Sequence, residues 1–135
     1  MKLADLFTRQ TANETRNMPL ELPDGSVSTD FHLEVVSTES DAFRRAETKA
    51  KRRAVEAAAI EDEDQSADFQ AEVEIEMLAA MVVGWNLDEE FSFANVKELL
   101  RESPGNRDRL SRFTATRSHW FEKKQKSSST GSKQK

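Results

Sequence analysis

No cysteine occurs in the 135 residues, which excludes a disulfide framework, a thiolate metal site and a cysteine nucleophile, and fits a reducing cytoplasm. Glycine is scarce, 4 in all, and none of these forms a phosphate-cradling loop. Long hydrophobic runs are nearly absent. The start, Met1-Lys2-Leu3-Ala4-Asp5-Leu6-Phe7, lacks the apolar core and small-residue cleavage site of a signal peptide, and no stretch is long enough to cross a bilayer. Histidine is limited to His32 and His119. Neither has a second histidine at metal-ligand spacing, so both read as surface or hydrogen-bonded structural residues rather than ligands or bases. No serine sits in a nucleophile-elbow pattern. No catalytic residue, cofactor-binding residue or metal ligand is assigned, and the chain reads as a non-enzyme.

Charge, by contrast, is abundant: 33% of the residues are Asp, Glu, Lys or Arg, against 36% hydrophobic. The net charge is −5, but 5 of the 20 basic residues follow Glu122; the preceding part carries 15 basic against 25 acidic side chains, a net of −10. Such an acidic body is a poor surface for a nucleic-acid backbone. The length suits one domain, assigned to residues 1–122, with residues 123–135 a disordered Lys/Ser-rich tail. The acidic runs Asp62-Glu63-Asp64 and Asp88-Glu89-Glu90 lack the alternating ligands and glycine of a calcium loop and read as a linker or helix-terminal charge.

The one extended apolar stretch is residues 73–87. Val73, Met77, Ala80 and Gly84 fall on one helical face, with Ile75, Leu78, Val82 and Trp85 on the next, so the spacing predicts a core helix over residues 66–84, capped by Ser66 and ended by Gly84, with Trp85 folding back. Before it, residues 2–9 read as one or two turns of amphipathic helix with Leu3, Leu6 and Phe7 on one side, and residues 10–17 as a polar connector. Pro23-Asp24-Gly25-Ser26 is a strong turn signal, and Val27, Thr29, Phe31, Leu33 and Val35 alternate with polar residues. These predict a β-hairpin over residues 18–37. A helix over residues 41–60 follows, capped by Thr38 or Ser40, with a narrow alanine stripe that buries little area. Ser92 caps a helix over residues 93–102, and Pro104 opens another over residues 104–122. The fold class is mainly α, with a minor β part: about four helices in a compact bundle beside an N-terminal hairpin.

Charge is also segregated. Residues 44–53 hold six basic side chains and residues 61–76 hold eight acidic ones. Packed antiparallel, these helices pair their charges within one chain; set on different subunits, the same strips define the register of an oligomer. The first reading is preferred, and the sequence does not separate the two.

Several stretches together resemble a known family. Pro19-Leu20-Glu21-Leu22-Pro23-Asp24-Gly25 leads into a strand and then Glu39-Ser40-Asp41-Ala42-Phe43-Arg44-Arg45-Ala46. Later come Val82-Val83-Gly84-Trp85-Asn86-Leu87, Phe91-Ser92-Phe93-Ala94-Asn95-Val96-Lys97-Glu98-Leu99-Leu100 and Ser103-Pro104. This order is similar to that of the tail assembly chaperones of long-tailed, siphophage-type bacteriophages. The resemblance implies a non-enzymatic protein of the host bacterial cytoplasm that binds the tape measure protein, helps recruit the tail tube protein, and is absent from the finished virion. It implies, in many members, a longer form made by ribosomal frameshifting; self-association is expected because several copies along one extended client gain by avidity. Lys123-Lys124-Gln125-Lys126 is compatible with an A-rich slippery run. An amphipathic client helix in a groove lined by Leu, Phe and Met is one mode of binding. Two other readings remain: a structural head–tail or tail connector, and a small helical nucleic-acid-binding protein using residues 44–53 and the Lys tail.

Overall fold

The computed structural model describes residues 1–121. The first residues form a 3₁₀ turn, Leu3–Leu6, on which Leu3, Leu6 and Phe7 are all exposed. A one-turn helix α1, Arg9–Ala12, occupies what the sequence suggested as connector. It exists because Ala12 is buried and its carbonyl accepts the Ser37 N–H, while the Asn13 side chain accepts the Asp41 N–H.

Strands β1, Arg16–Glu21, and β2, Val27–Val35, make the expected antiparallel hairpin. At its turn Gly25 takes φ +90°, a conformation available to glycine at little cost, and the Gly25 N–H bonds the Leu22 carbonyl. The simple alternation expected along β2 holds only in its second half, where Leu33 and Val35 are buried. Val27 and Phe31 are 50% and 45% exposed, and Ser28 is buried instead. The cause is a break in register: Pro19 faces His32 but Glu21 faces Val27, so residues 28–31 bulge. The Ser28 hydroxyl stabilises this bulge by accepting the N–H groups of Asp30 and Phe31, both at 3.0 Å.

Helix α2, Asp41–Ala58, is capped by Ser40, whose hydroxyl accepts the Phe43 N–H. Helix α3, Glu63–Ala79, packs against it. Asp62, not Ser66, caps α3 by accepting the Gln65 N–H; the Ser66 hydroxyl instead donates to the Ala57 carbonyl and ties the two helices near their connection. Only Ala57 of α2 is fully buried, whereas α3 buries Ile75, Leu78 and Ala79, as the alanine stripe predicted.

The core helix stops well short of Gly84. Residues Val82–Trp85 form a third strand, β3, antiparallel to β2, with Leu33 opposite Trp85 and Val35 opposite Val82. An apolar run has no period that tells a buried helix from a buried strand, and here β2 offers a free edge to a β-prone Val-Val-Gly-Trp segment. Gly84 is therefore not a helix cap. It lies opposite Glu34, and a Cβ there would meet the Glu34 carboxylate at 2.8 Å. Trp85 does not fold back on the helix; it meets Phe91 edge-on, with ring centroids 5.5 Å apart.

Helices α4, Phe93–Glu102, and α5, Pro104–Ala115, begin where Ser92 and Pro104 predicted. Helix α5 ends before residue 122: a 3₁₀ turn, Arg117–His119, brings Trp120 inward, where its indole N–H donates to the Glu14 carbonyl at 2.9 Å. Among the described residues the architecture is thus five helices and a three-stranded antiparallel sheet of order β1-β2-β3, more β than the hairpin-and-bundle expectation. Met18, Leu33, Val35, Ile75, Met81, Val96, Leu100 and Leu110 form the core between sheet and helices. The tail assigned to residues 123–135 lies outside the described residues.

Candidate functional site

The chemistry-bearing residues considered in the sequence are scattered. His32 sits half-buried on β2, its Nε2 4.0 Å from Glu34. His119 is stacked on Phe113 with ring centroids 3.8 Å apart. Asp62 caps α3, with Glu63 and Asp64 in its first turn, where acidic side chains favour the positive end of the helix. Asp88-Glu89-Glu90 forms the β3–α4 loop, in which the Glu89 carbonyl accepts the Trp85 indole N–H and the Glu90 carbonyl accepts from the Asn95 side chain. Among the described residues no three acidic or histidine side chains are grouped to hold a metal ion, and no helix is long and apolar enough to cross a membrane.

What the fold does build is a groove of about 850 Å³ between the β1–β2 turn and the α4–α5 corner. Its apolar walls are Leu20, Leu22, Pro23, Phe31, Trp85, Leu87 and Leu99. Pro104 and Gly105 also line it. Its charged residues are all acidic: Glu21, Glu89, Glu98 and Glu102. None of the four carboxylates makes an ion pair among the described residues.

Two asparagines fix the walls. Asn106, only 4% exposed, accepts the Glu21 N–H at 2.8 Å and donates to the Glu21 carbonyl at 3.0 Å, so that α5 takes the place of a neighbouring strand along β1. Arg109 adds a second tie by donating to the Pro19 carbonyl. On the other side, Asn86 accepts the His32 N–H at 2.9 Å and donates to the Asp30 carbonyl at 2.7 Å, holding the β2 bulge to the end of β3. Sequence reasoning missed both, because an asparagine after Pro104-Gly105 or Gly84-Trp85 reads as turn chemistry. Of the stretches that carried the family resemblance, those at residues 19–25, 82–87, 91–100 and 103–104 each contribute lining to this groove, while residues 39–46 lie at the start of α2 and do not.

The charge strips behave differently from the intramolecular pairing preferred above. Of the six basic residues between 44 and 53, only Arg53 reaches α3, where it pairs with Glu76 and lies over the Phe69 ring at 4.7 Å. Arg44 pairs within its own helix, with Glu47 at 3.2 Å. Glu72 turns the other way, to Arg101 at 3.0 Å and Lys97 at 3.2 Å on α4. Partial burial opposes ionisation of Glu72, but the hydrogen bonds from Arg101 and Lys97 prevail and hold its carboxyl below the usual range. Arg45, Lys49, Lys51 and Arg52 make no ion pair among the described residues. Arg45 and Lys49 instead edge a second, smaller groove of about 420 Å³ between α2 and α3, floored by Ala46, Val73, Met77 and Ala80.

Among the described residues the chain is an α+β protein that presents one groove edged by acid and a smaller one edged mainly by base. A family model described as phage tail assembly chaperone matches residues 9–115, most of the chain, and the protein belongs to that family. No curated protein and no solved structure matches it.

Proposed function

We propose that this protein serves phage or prophage tail morphogenesis by binding the tape measure protein and helping to recruit the tail tube protein, without catalysing a reaction. The observation that carries the reading is the apolar groove in a member of the tail assembly chaperone family. A long helical client exposes apolar stripes that aggregate unless covered, and several chaperone copies along one client gain by avidity. Residues 1–122 act as one client-binding domain that self-associates. Its place of action is the host bacterial cytoplasm, and it leaves before the virion is complete.

The test expresses the native gene with its downstream DNA beside the tape measure and tail tube genes. Co-purification of both tail proteins, with a minor longer product that departs from this frame near residues 123–126, is the expected result. Absence of the tape measure protein from the purified material, together with stoichiometric presence of this chain in mature virions, would replace the chaperone with a structural connector.

A further inference from the structure

We infer that the groove between the β1–β2 turn and the α4–α5 corner seats one kind of ligand: a basic amphipathic helix, its apolar stripe on the Trp85 and Leu99 walls and its Lys or Arg side chains at the acidic rim. The inference deepens the chaperone reading and depends on it for the identity of the client, not for the chemistry of the site.

Backbone accounting selects a helix. An extended peptide binds a sheet by pairing with free N–H and C=O groups along an edge. Along the β1 side of the groove those groups are already used. Asn106 takes both backbone groups of Glu21, Arg109 takes the Pro19 carbonyl, and Pro19 has no N–H to offer. Leu22 is bonded within the turn, its N–H to Ser26 and its carbonyl to Gly25. Asn86 occupies Asp30 and His32 across the groove. A helix satisfies its own backbone and needs only side-chain contact.

Charge selects a basic one. Glu21, Glu89, Glu98 and Glu102 edge the groove without a cation among the described residues, and the lining contains no Lys or Arg. Four like charges in one concave rim repel one another and attract a partner of opposite sign. The chain's own Lys-rich segment, residues 123–135, supplies cations but no apolar side chain to fill the walls. The N-terminal Leu3–Leu6 turn supplies apolar side chains with few cations.

The test uses the full chain and tryptophan-free peptides of about 18 residues, five helical turns, built from Leu and Lys or from Leu and Glu. Trp85 in the groove reports binding, because Trp120 is buried elsewhere against Glu14. The Leu/Lys helix is expected to shift Trp85 emission and to bind at least about tenfold more tightly than the Leu/Glu helix, and the double variant Glu98→Lys, Glu102→Lys to invert that order. The single variant Glu102→Lys, expected to narrow the preference, serves should the double variant not fold. Equal affinity for the two peptides, or an unchanged preference in a folded variant, overturns the assignment. Displacement of the Leu/Lys helix at lower concentration by a peptide of residues 1–13 or 123–135 also overturns it, giving the groove to the chain itself. Client recovery separates the two claims. A folded charge-swapped protein that still retains the tape measure protein refutes the groove and spares the chaperone. Peptide discrimination by a wild-type protein that never retains the tape measure protein does the reverse.

Discussion

Asn106 and Glu21, 85 positions apart in the sequence, are joined by a pair of hydrogen bonds in which one side-chain amide serves both backbone groups of the strand residue. The pair closes the edge of β1, anchors the start of α5 and sets the width of the groove. Replacing Asn106 by Ala leaves the partly buried N–H and C=O of Glu21 without these partners. The loss expected is about 1–3 kcal/mol in denaturant unfolding. Asn106→Asp keeps an acceptor for the Glu21 N–H but puts a carboxylate oxygen against the Glu21 carbonyl, so it too lowers the midpoint. Equal stability of wild type and both variants would show that the bonds are replaced by water without loss.

Arg52 and Arg53 are adjacent and chemically identical, yet the structure gives them different work. Arg53 pairs with Glu76 and covers the Phe69 ring, while Arg52 is exposed and makes no ion pair among the described residues. The Glu76 carboxylate is also what raises the Arg53 pKa, chiefly through their hydrogen bond. Arg53→Ala should lower the thermal midpoint measurably, and Arg52→Ala should leave it unchanged within error. Charge reversal at Arg52 alone then tests the intersubunit alternative. If the basic face of α2 forms a subunit contact, Arg52→Glu lowers the sedimentation coefficient of the assembly at unchanged stability. An unaltered sedimentation profile removes that contact.

Asp41 and Glu72 tie distant elements together. Hydrogen bonds from Arg9 hold the Asp41 carboxyl low against slight desolvation, with Asn13 assisting. Glu72 is held low by Arg101 and Lys97 despite partial burial. In both cases the folded protein binds its proton less readily than the unfolded chain does. The stabilisation is therefore complete above the ordinary carboxylate range, near pH 4, and is lost as the pH falls through the lower folded-state values. The thermal midpoint should hold steady from pH 7 to about pH 5 and drop steeply below about pH 4. The double variant Asp41→Asn, Glu72→Gln should show a shallower drop. Parallel acid profiles for the two proteins would mean that other carboxylates dominate acid unfolding.

Local signals were legible where one short segment decides the conformation. The Pro23-Asp24-Gly25 turn, the Ser40 and Ser92 caps and the Pro104 helix start all appear where their chemistry predicts. Residues 82–85 went wrong for the opposite reason. Their own pattern suits a buried helix as well as a strand, and the choice is made by the free edge of β2, about fifty residues away. The inward phase of Val27 and Phe31 failed similarly, through a bulge set by the register against Pro19 and Glu21. The groove could not be read from the sequence at all. Leu22, Trp85 and Leu99 look like ordinary apolar positions, and Glu98 and Glu102 like a solvated helix face, until the two asparagines bring hairpin and helices together.

Hydrogen–deuterium exchange of the protein, free and mixed with the tape measure protein, tests the central claim most directly. The account predicts slowed exchange at residues 20–25, 85–89 and 95–106 together, the three segments that form the groove, with the outer face of α2 unaffected. Slowing confined to α2 and α3, or no slowing in a mixture that nonetheless forms a complex, would place the client elsewhere and contradict it.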